Sequence, residues 1–353
     1  MKVLFDHQIF NYVFGGASKY FSMLLANMSP DLWETTSLFS SNEYVKSLGL
    51  FKTYPYRFRG QAILADYLNR PYTNMVMRRQ NFDVYHQTNF GTFCFAALGN
   101  KPMVTTYHDS NLSTIDPHPE IVERQRKSLD RAQAIIAVSA NTQKDLLELF
   151  PGHEKKVRVI YHGIEMPDMS LLPHQRLVER PYILYVGRRT EYKNFKLFIQ
   201  AFSLLSQKED VCLVCTSERF TAEEMEMFAK LGISDKVIHI KANEVMMKQL
   251  YRDAITFVFP SLYEGFGMPI LEAWSCHCPV ILSDCSCFPE IAGNAALYFN
   301  AKSIEECCNC MMHLISDNQQ RDELIRLGDQ RVVQFSWERC TQAHLEIYKE
   351  LMD

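Results

Sequence analysis

The stretch Pro260-Ser261-Leu262-Tyr263-Glu264-Gly265-Phe266-Gly267-Met268-Pro269-Ile270-Leu271-Glu272-Ala273 decides how the chain reads. Before it, Ala254-Ile255-Thr256-Phe257-Val258-Phe259 is an apolar run of the kind that forms a buried parallel strand. Gly265 and Gly267 let the backbone turn tightly and approach another molecule with no Cβ in the way. Pro269 suits the first position of a helix, which Ile270 to Cys276 continue. Strand, glycine loop and helix start, in that order, offer free backbone N–H groups to an anionic or hydroxyl-rich ligand. Glu264 and Glu272 bracket this donor surface, and a carboxylate accepts two hydrogen bonds from a vicinal diol such as a ribose or hexose. Taken singly, Glu272 could serve only the helix N-terminus and Glu264 only a solvated loop.

Working outward, the same alternation of strand and helix runs through both halves. In the first, strands are expected at Val3 to Phe10, Glu34 to Ser40, Val84 to Thr88, Met103 to Tyr107, Ala134 to Ser139 and Val157 to His162. A second series starts at Tyr182-Ile183-Leu184-Tyr185-Val186-Gly187 and continues at Val211 to Cys215, Val237 to Ile240, Ile255 to Phe259 and Val280 to Leu282. This predicts two doubly wound α/β domains, 1–165 and 181–335, joined by a linker over 166–180. A last amphipathic helix over 336–353 carries Trp337, Thr341, Leu345, Tyr348 and Met352 on one face.

The 353 residues suffice for two cores, and 47% hydrophobic with 22% charged residues is an ordinary soluble composition. No apolar run approaches the roughly 18 residues needed to span a bilayer, and Met1-Lys2-Val3-Leu4-Phe5-Asp6 reads as a strand, so the protein is expected in the cytoplasm. Eleven cysteines suit that compartment as free thiols. Cys276, Cys278, Cys285 and Cys287 suggest zinc at first sight, but C-x-C lacks the usual spacing and the set flanks a buried strand where thiols pack as small hydrophobes. Net charge is −4, divided as +3 over residues 1–165 and −7 over the rest, and nothing supports nucleic-acid binding.

Three further sites carry chemistry. Phe14-Gly15-Gly16-Ala17-Ser18 offers bare N–H groups at a helix start, though a plain tight turn fits as well, and it lacks the G-x-G-x-x-G of dinucleotide folds. Gly187-Arg188-Arg189-Thr190-Glu191-Tyr192-Lys193-Asn194 follows a strand, where Arg188 and Lys193 can meet a diphosphate and Arg189 is the arginine expected to be merely solvated. His108 ends the strand Val104-Thr105-Thr106-Tyr107, Asp109 can cap the next turn, and Ser139 reads as a helix N-cap.

Glu264 and Glu272, separated by seven residues around Gly-Phe-Gly-Met-Pro, resemble the E-x7-E motif of the retaining family 4 glycosyltransferases. Gly187-Arg188 to Lys193-Asn194 resembles that family's G-R-x4-K-N, Gly15-Gly16 its G-G loop, and Val104 to Asp109 its V-T-x-H-D strand end. The resemblance covers nearly the whole chain and is strongest from Arg188 to Glu290. His162-Gly163 departs from the Asn-Gly of many relatives, leaving a ligand role for His162 open. The resemblance implies a GT-B fold, with two Rossmann-like domains facing across a cleft and the C-terminal helix crossing back to the first. It also implies transfer of a hexose from a nucleoside-diphosphate sugar to a saccharide or lipid-linked acceptor, without cofactor or metal, and no D-x-D metal motif is evident beside a strand. Arg188 and Lys193 would then hold the diphosphate, and Glu264 the sugar hydroxyls beside the Gly265, Phe266, Gly267 and Met268 backbone. Glu272 would hold the ribose and His108 would face the sugar, with Gly15 and Gly16 near diphosphate and acceptor. The His108 and His162 surroundings resemble mannosyltransferase-like members active in polysaccharide or lipopolysaccharide assembly. A sugar-nucleotide epimerase and a non-catalytic sugar-nucleotide-binding subunit are the competing readings.

Residues 42–80 follow no family pattern. They carry Lys52, Arg57, Arg59, Arg70, Arg78 and Arg79 among Tyr54, Tyr56, Phe58, Tyr67 and Tyr72, a mix that suits anionic lipid headgroups and equally an ordinary solvated surface.

Overall fold

The computed structural model describes residues 1–56, 58–110 and 118–353, so Arg57 lies outside the described residues. The chain divides into two compact units, Met1–Gly163 with Ser336–Asp353, and Ile164–Phe335.

In the first unit, strands β1 (Val3–Phe5), β2 (Trp33–Thr35), β3 (Val84–Gln87), β4 (Met103–Tyr107), β5 (Ala134–Ala137) and β6 (Val157–Val159) form a parallel sheet in the order β2-β1-β3-β4-β5-β6. β1, β3, β4 and β5 are buried along their whole length, which explains their unalternating apolar runs. Helices α1 (Gly16–Ala26), α2 (Glu43–Ser47) and α3 (Gln61–Arg78) follow β1 and β2. β1 is shorter than Val3 to Phe10. After Phe5 the buried Asp6 carboxylate accepts the Gln8 N–H (2.9 Å) and the Thr88 hydroxyl (2.5 Å), and the chain turns into a 3-10 helix at Gln8.

In the second unit, β7 (Tyr182–Tyr185), β8 (Cys212–Cys215), β9 (Val237–His239), β10 (Thr256–Phe259), β11 (Val280–Ser283) and β12 (Leu297–Phe299) form a parallel sheet in the order β12-β11-β10-β7-β8-β9. Its helices α4 (Phe195–Ser206), α5 (Ala222–Lys230) and α6 (Met268–Ser275) matter for the site. The stretch read as a linker packs along this unit: Arg252 donates to Pro173 O (2.9 Å) and Gln249 to Gln175 O (3.1 Å), while Leu172 and Val178 are buried.

The C-terminal helix α7 (Trp337–Glu350) belongs to the first unit. Its buried face is Trp337, Cys340, Thr341, His344, Ile347 and Tyr348. Leu345 is only half-buried and Met352 is exposed, so the inward face is rotated onto a histidine rather than onto Leu345. His344 can go inside because both ring nitrogens are satisfied: Nδ1–H donates to Cys340 O (2.6 Å) and Nε2 accepts from the Tyr20 hydroxyl (2.5 Å). His86 is held likewise between Tyr348 (2.6 Å) and Thr106 (2.9 Å). Gly163 lies where a Cβ would collide with the backbone of Ser336 and Trp337, so only glycine lets α7 start there. Among the described residues, no helix is long and apolar enough to cross a membrane.

Candidate active site

Three loops at the C-terminal ends of β7, β10 and β11 meet at Glu264. The Leu262 N–H donates to Tyr192 O (2.7 Å), joining the β10 loop to the β7 loop. Ser286, beyond β11, accepts the Glu264 N–H (3.1 Å) and donates its hydroxyl to Glu264 O (2.6 Å). Ser283 donates to Ser261 O (2.5 Å). The loop then enters α6 through Gly267, whose φ of 90° lies in the left-handed region and whose missing Cβ would press on Ile270 and Phe288 (3.1 and 3.2 Å). Pro269 follows in the first turn, where its absent N–H costs nothing.

Lys193 and Glu264, assigned from sequence to different parts of a ligand, are in direct contact as an ion pair. Their side chains are only 15% and 16% exposed, and the Lys193 ammonium also sits over the Tyr192 and Phe259 rings (5.1 and 5.3 Å). A largely desolvated ammonium held between a carboxylate and two ring faces is a fixed positive charge at the junction of these loops. Glu272, half-buried on α6, receives the Tyr251 hydroxyl at 3.4 Å. Ser286 and Ser283 escaped the sequence reading. No spacing marks them, and only the sheet order puts β11 beside β10.

Of the two arginines, Arg189, expected to be merely solvated, is the buried one, and Arg188 stays exposed. Arg188 is 74% exposed, with Glu218 3.9 Å away, while Arg189 is only 5% exposed. The Arg189 guanidinium pairs with Glu224 (2.6 Å), donates to Glu218 O (2.9 Å) and Arg219 O (2.8 Å), and lies over Phe220 (5.0 Å). It is a structural clamp on the loop between β8 and α5, because a planar five-donor fork can satisfy several carbonyls at once. A broad cavity of about 840 Å³ opens beside it between α4 and α5, and neither Lys193 nor Glu264 lines it.

In the first unit, Gly15 and Gly16 are exposed at the start of α1, with Gly15 O accepting the Lys19 N–H (2.9 Å). His108 ends β4 with its ring edge-on to Tyr20 (5.0 Å) and Phe21 (5.8 Å). Its Nε2 is buried with no hydrogen-bond partner among the described residues. Burial lowers its pKa to about 4, leaving a neutral imidazole at pH 7 that can hydrogen-bond a hydroxyl. His162 stacks on Tyr20 (4.8 Å) and Trp337 (6.3 Å), a packing role. Ser139 caps its helix by accepting the Thr142 N–H (3.0 Å). Cys276, Cys278 and Cys287 are buried as packing residues, and burial pushes the Cys276 thiol up to about 11. Among the described residues no cluster of three or more metal-binding side chains occurs.

Two six-stranded parallel sheets, each covered by helices, with the last helix returned to the first unit, define the GT-B class of fold. Solved structures agree across the whole chain. Anabaena HepE, crystallised with UDP and glucose, matches with a TM-score of 0.80 over 99% of this chain and 100% of its own, at 19% identity. The apo form of the lipopolysaccharide outer core galactosyltransferase WaaB matches with a TM-score of 0.68, 16% identity and coverage of 99% and 100%. Residues 15–166 match the family described as Glycosyltransferase Family 4, and residues 173–331 match Glycosyl transferases group 1. The O-antigen chain mannosyltransferase B of Escherichia coli is 28% identical over 76% of this chain and 74% of its own length. The O-antigen chain mannosyltransferase RfbU of Salmonella typhimurium is 31% identical over 50% of this chain and 49% of its own. The chain belongs to the family 4, group 1 glycosyltransferases.

Proposed function

We propose that the protein transfers mannose, with retention of anomeric configuration and without metal, from a nucleoside-diphosphate sugar to a saccharide or lipid-linked saccharide acceptor in surface polysaccharide assembly. The observation that carries this reading is the Lys193–Glu264 pair held at the meeting point of the β7, β10 and β11 loops. An incoming diphosphate takes the Lys193 ammonium, with Arg188 free to swing onto it from the exposed end of β7. Glu264, released from Lys193, accepts hydrogen bonds from the hydroxyls of the transferred sugar, beside the Gly265 to Met268 backbone. Glu272 holds the ribose.

As the bond from the anomeric carbon to the diphosphate oxygen breaks, the electron pair leaves on that oxygen. Lys193 and Arg188 stabilise its charge. The sugar gains oxocarbenium character, and the acceptor hydroxyl attacks from the same face, giving its proton to the departing phosphate oxygen. His108, neutral, hydrogen-bonds a sugar hydroxyl. The choice of mannose rests on the names of the two O-antigen relatives, and a nucleoside-diphosphate donor is favoured by the UDP found in HepE. We also propose peripheral contact with the inner face of a membrane. Ile63, Leu64, Tyr67, Leu68 and Met75 are exposed along α3, with Arg70 among them and Arg78 at the helix end.

Thermal denaturation with GDP, UDP, ADP, CMP and dTDP, each with Mg²⁺ or with EDTA, tests the core of this reading. One diphosphate is expected to stabilise the fold by about 2.7 kcal/mol at a hundredfold excess over its dissociation constant, equally in EDTA. Stabilisation by none would sink it, and stabilisation only with Mg²⁺ would remove the metal-free mechanism. An inverted anomeric configuration in the product, read by NMR, would remove retention.

A further inference from the structure

A second small cavity, of about 290 Å³, lies wholly within the first unit. It is built where Ser40 bridges to Thr53: the Ser40 N–H donates to Lys52 O (2.9 Å) and the Tyr54 N–H to Ser40 O (3.0 Å). Its wall carries Ser41, Glu43, Lys46, Tyr54, Tyr56 and Gln61. Tyr54 is braced by the Phe39 and Phe58 rings (5.4 and 6.0 Å), whereas the Tyr56 ring is 81% exposed. Ser41 is only 9% exposed, and its hydroxyl oxygen is buried without a hydrogen-bond partner among the described residues. An orphaned buried hydroxyl costs about 1–3 kcal/mol unless something bonds to it, so its presence in a cavity wall points to a ligand group.

The cavity is also tied to the glycine loop. Asn42, which caps α2, donates from Nδ2 to Tyr12 O (2.7 Å), and the Glu43 N–H donates to Val13 O (3.0 Å). Phe14 packs edge-on against Tyr44 (5.9 Å). Gly15 and Gly16 follow directly. A cavity at the low end of the roughly 300–1,000 Å³ usual for small-molecule sites takes one sugar ring and not a nucleotide. Its chemistry matches: an electron-rich aromatic face for the slightly positive C–H face of a pyranose, and a hydroxyl, a carboxylate and an ammonium for its hydroxyl edge.

We infer that this cavity is a subsite for a pyranose ring of the acceptor saccharide, with Tyr56 as its stacking platform and Ser41 as a hydroxyl partner. The inference rests on the glycosyltransferase reading and names where the acceptor is gripped. Its test is saturation-transfer NMR on the full chain with methyl α-mannoside, methyl α-glucoside and methyl α-galactoside as probes. At least one should receive magnetisation on its ring protons. Tyr56→Ala should weaken the signal at least about fivefold, Tyr56→Phe should keep it, and Ser41→Ala should lower it. The thermal shift with nucleoside diphosphate should be the same in all three variants. No signal with any probe, or a signal untouched by Tyr56→Ala, overturns the subsite while the nucleotide shift still upholds glycosyl transfer. A Tyr56-dependent signal without any nucleotide shift keeps the subsite and removes the transfer reading. Tyr56-dependent flotation on phosphatidylglycerol vesicles, with no glycoside signal, assigns the ring to lipid and overturns the subsite.

Discussion

The two units present opposite kinds of chemistry. The second unit's site is charged and paired, with Lys193 against Glu264 and Arg189 against Glu224. The first unit's counterpart is neutral, with His86, His108, His162 and His344 packed among Tyr20, Tyr348 and Trp337. Fixed positive charge suits an anion, whereas a buried neutral imidazole can meet a hydroxyl without carrying charge. The difference teaches that one fold, used twice, is specialised by what its loops carry.

Acid should break this contrast most strongly. Burial lowers all four histidines, His108 and His344 to about 4, against about 6.5 unfolded. Below about 6.5 the unfolded chain binds more protons, so stability falls as pH drops, and the part due to His108 and His344 levels off below about 4. The loss is up to about 1.4 kcal/mol per pH unit for each group. Hydrogen exchange is expected to open peptides of β3, α1 and α7 at pH 5 while β7 and β10 stay protected. Equal protection in both units would contradict the histidine account.

Lys193→Ala should lower kcat by about 10²–10³-fold, the cost of removing one preorganised charge, as read in initial rates at saturating donor. Wild-type turnover would remove Lys193 from the site. The adjacent arginines should separate cleanly. Arg189→Ala, which strips a nearly buried pair, should destabilise by about 3 kcal/mol in urea. Arg188→Ala should leave stability alone and lower turnover about tenfold, more than it weakens nucleotide binding. The reverse pattern would move the diphosphate role to Arg189. Smallest is Glu272→Ala, expected to weaken nucleotide binding about tenfold by calorimetry with little change in kcat.

Much of the fold was legible because parallel sheets buried on both faces leave apolar runs that local reading detects. Met103–Tyr107 has the bounds expected and Val280–Ser283 differs from them by one residue. Helix α3 was missed: Pro71 lies inside it, and its outward Ile63, Leu64 and Tyr67 erase the amphipathic period. Helix α5 was missed although Thr221 and Glu224 form a capping box, a signal the sequence does carry. Strand β12, three residues at a sheet edge, is too short to leave a pattern.

The sequence by itself determined the alternation of elements, the glycine loop into α6 and the residue types at the C-terminal end of β7, because these depend on backbone freedom and local spacing. Only the tertiary structure decided which charges are spent on packing. Arg188 and Arg189 are neighbours of the same type, and what separates them is the position of Glu224 and Phe220, more than thirty residues away in the chain. The contact of Lys193 with Glu264, the anchoring of that loop by Ser286, and the turning of α7 onto His344 follow likewise from strand order and helix return. Desolvation and ion pairing act through space, and distance along the chain carries no record of them.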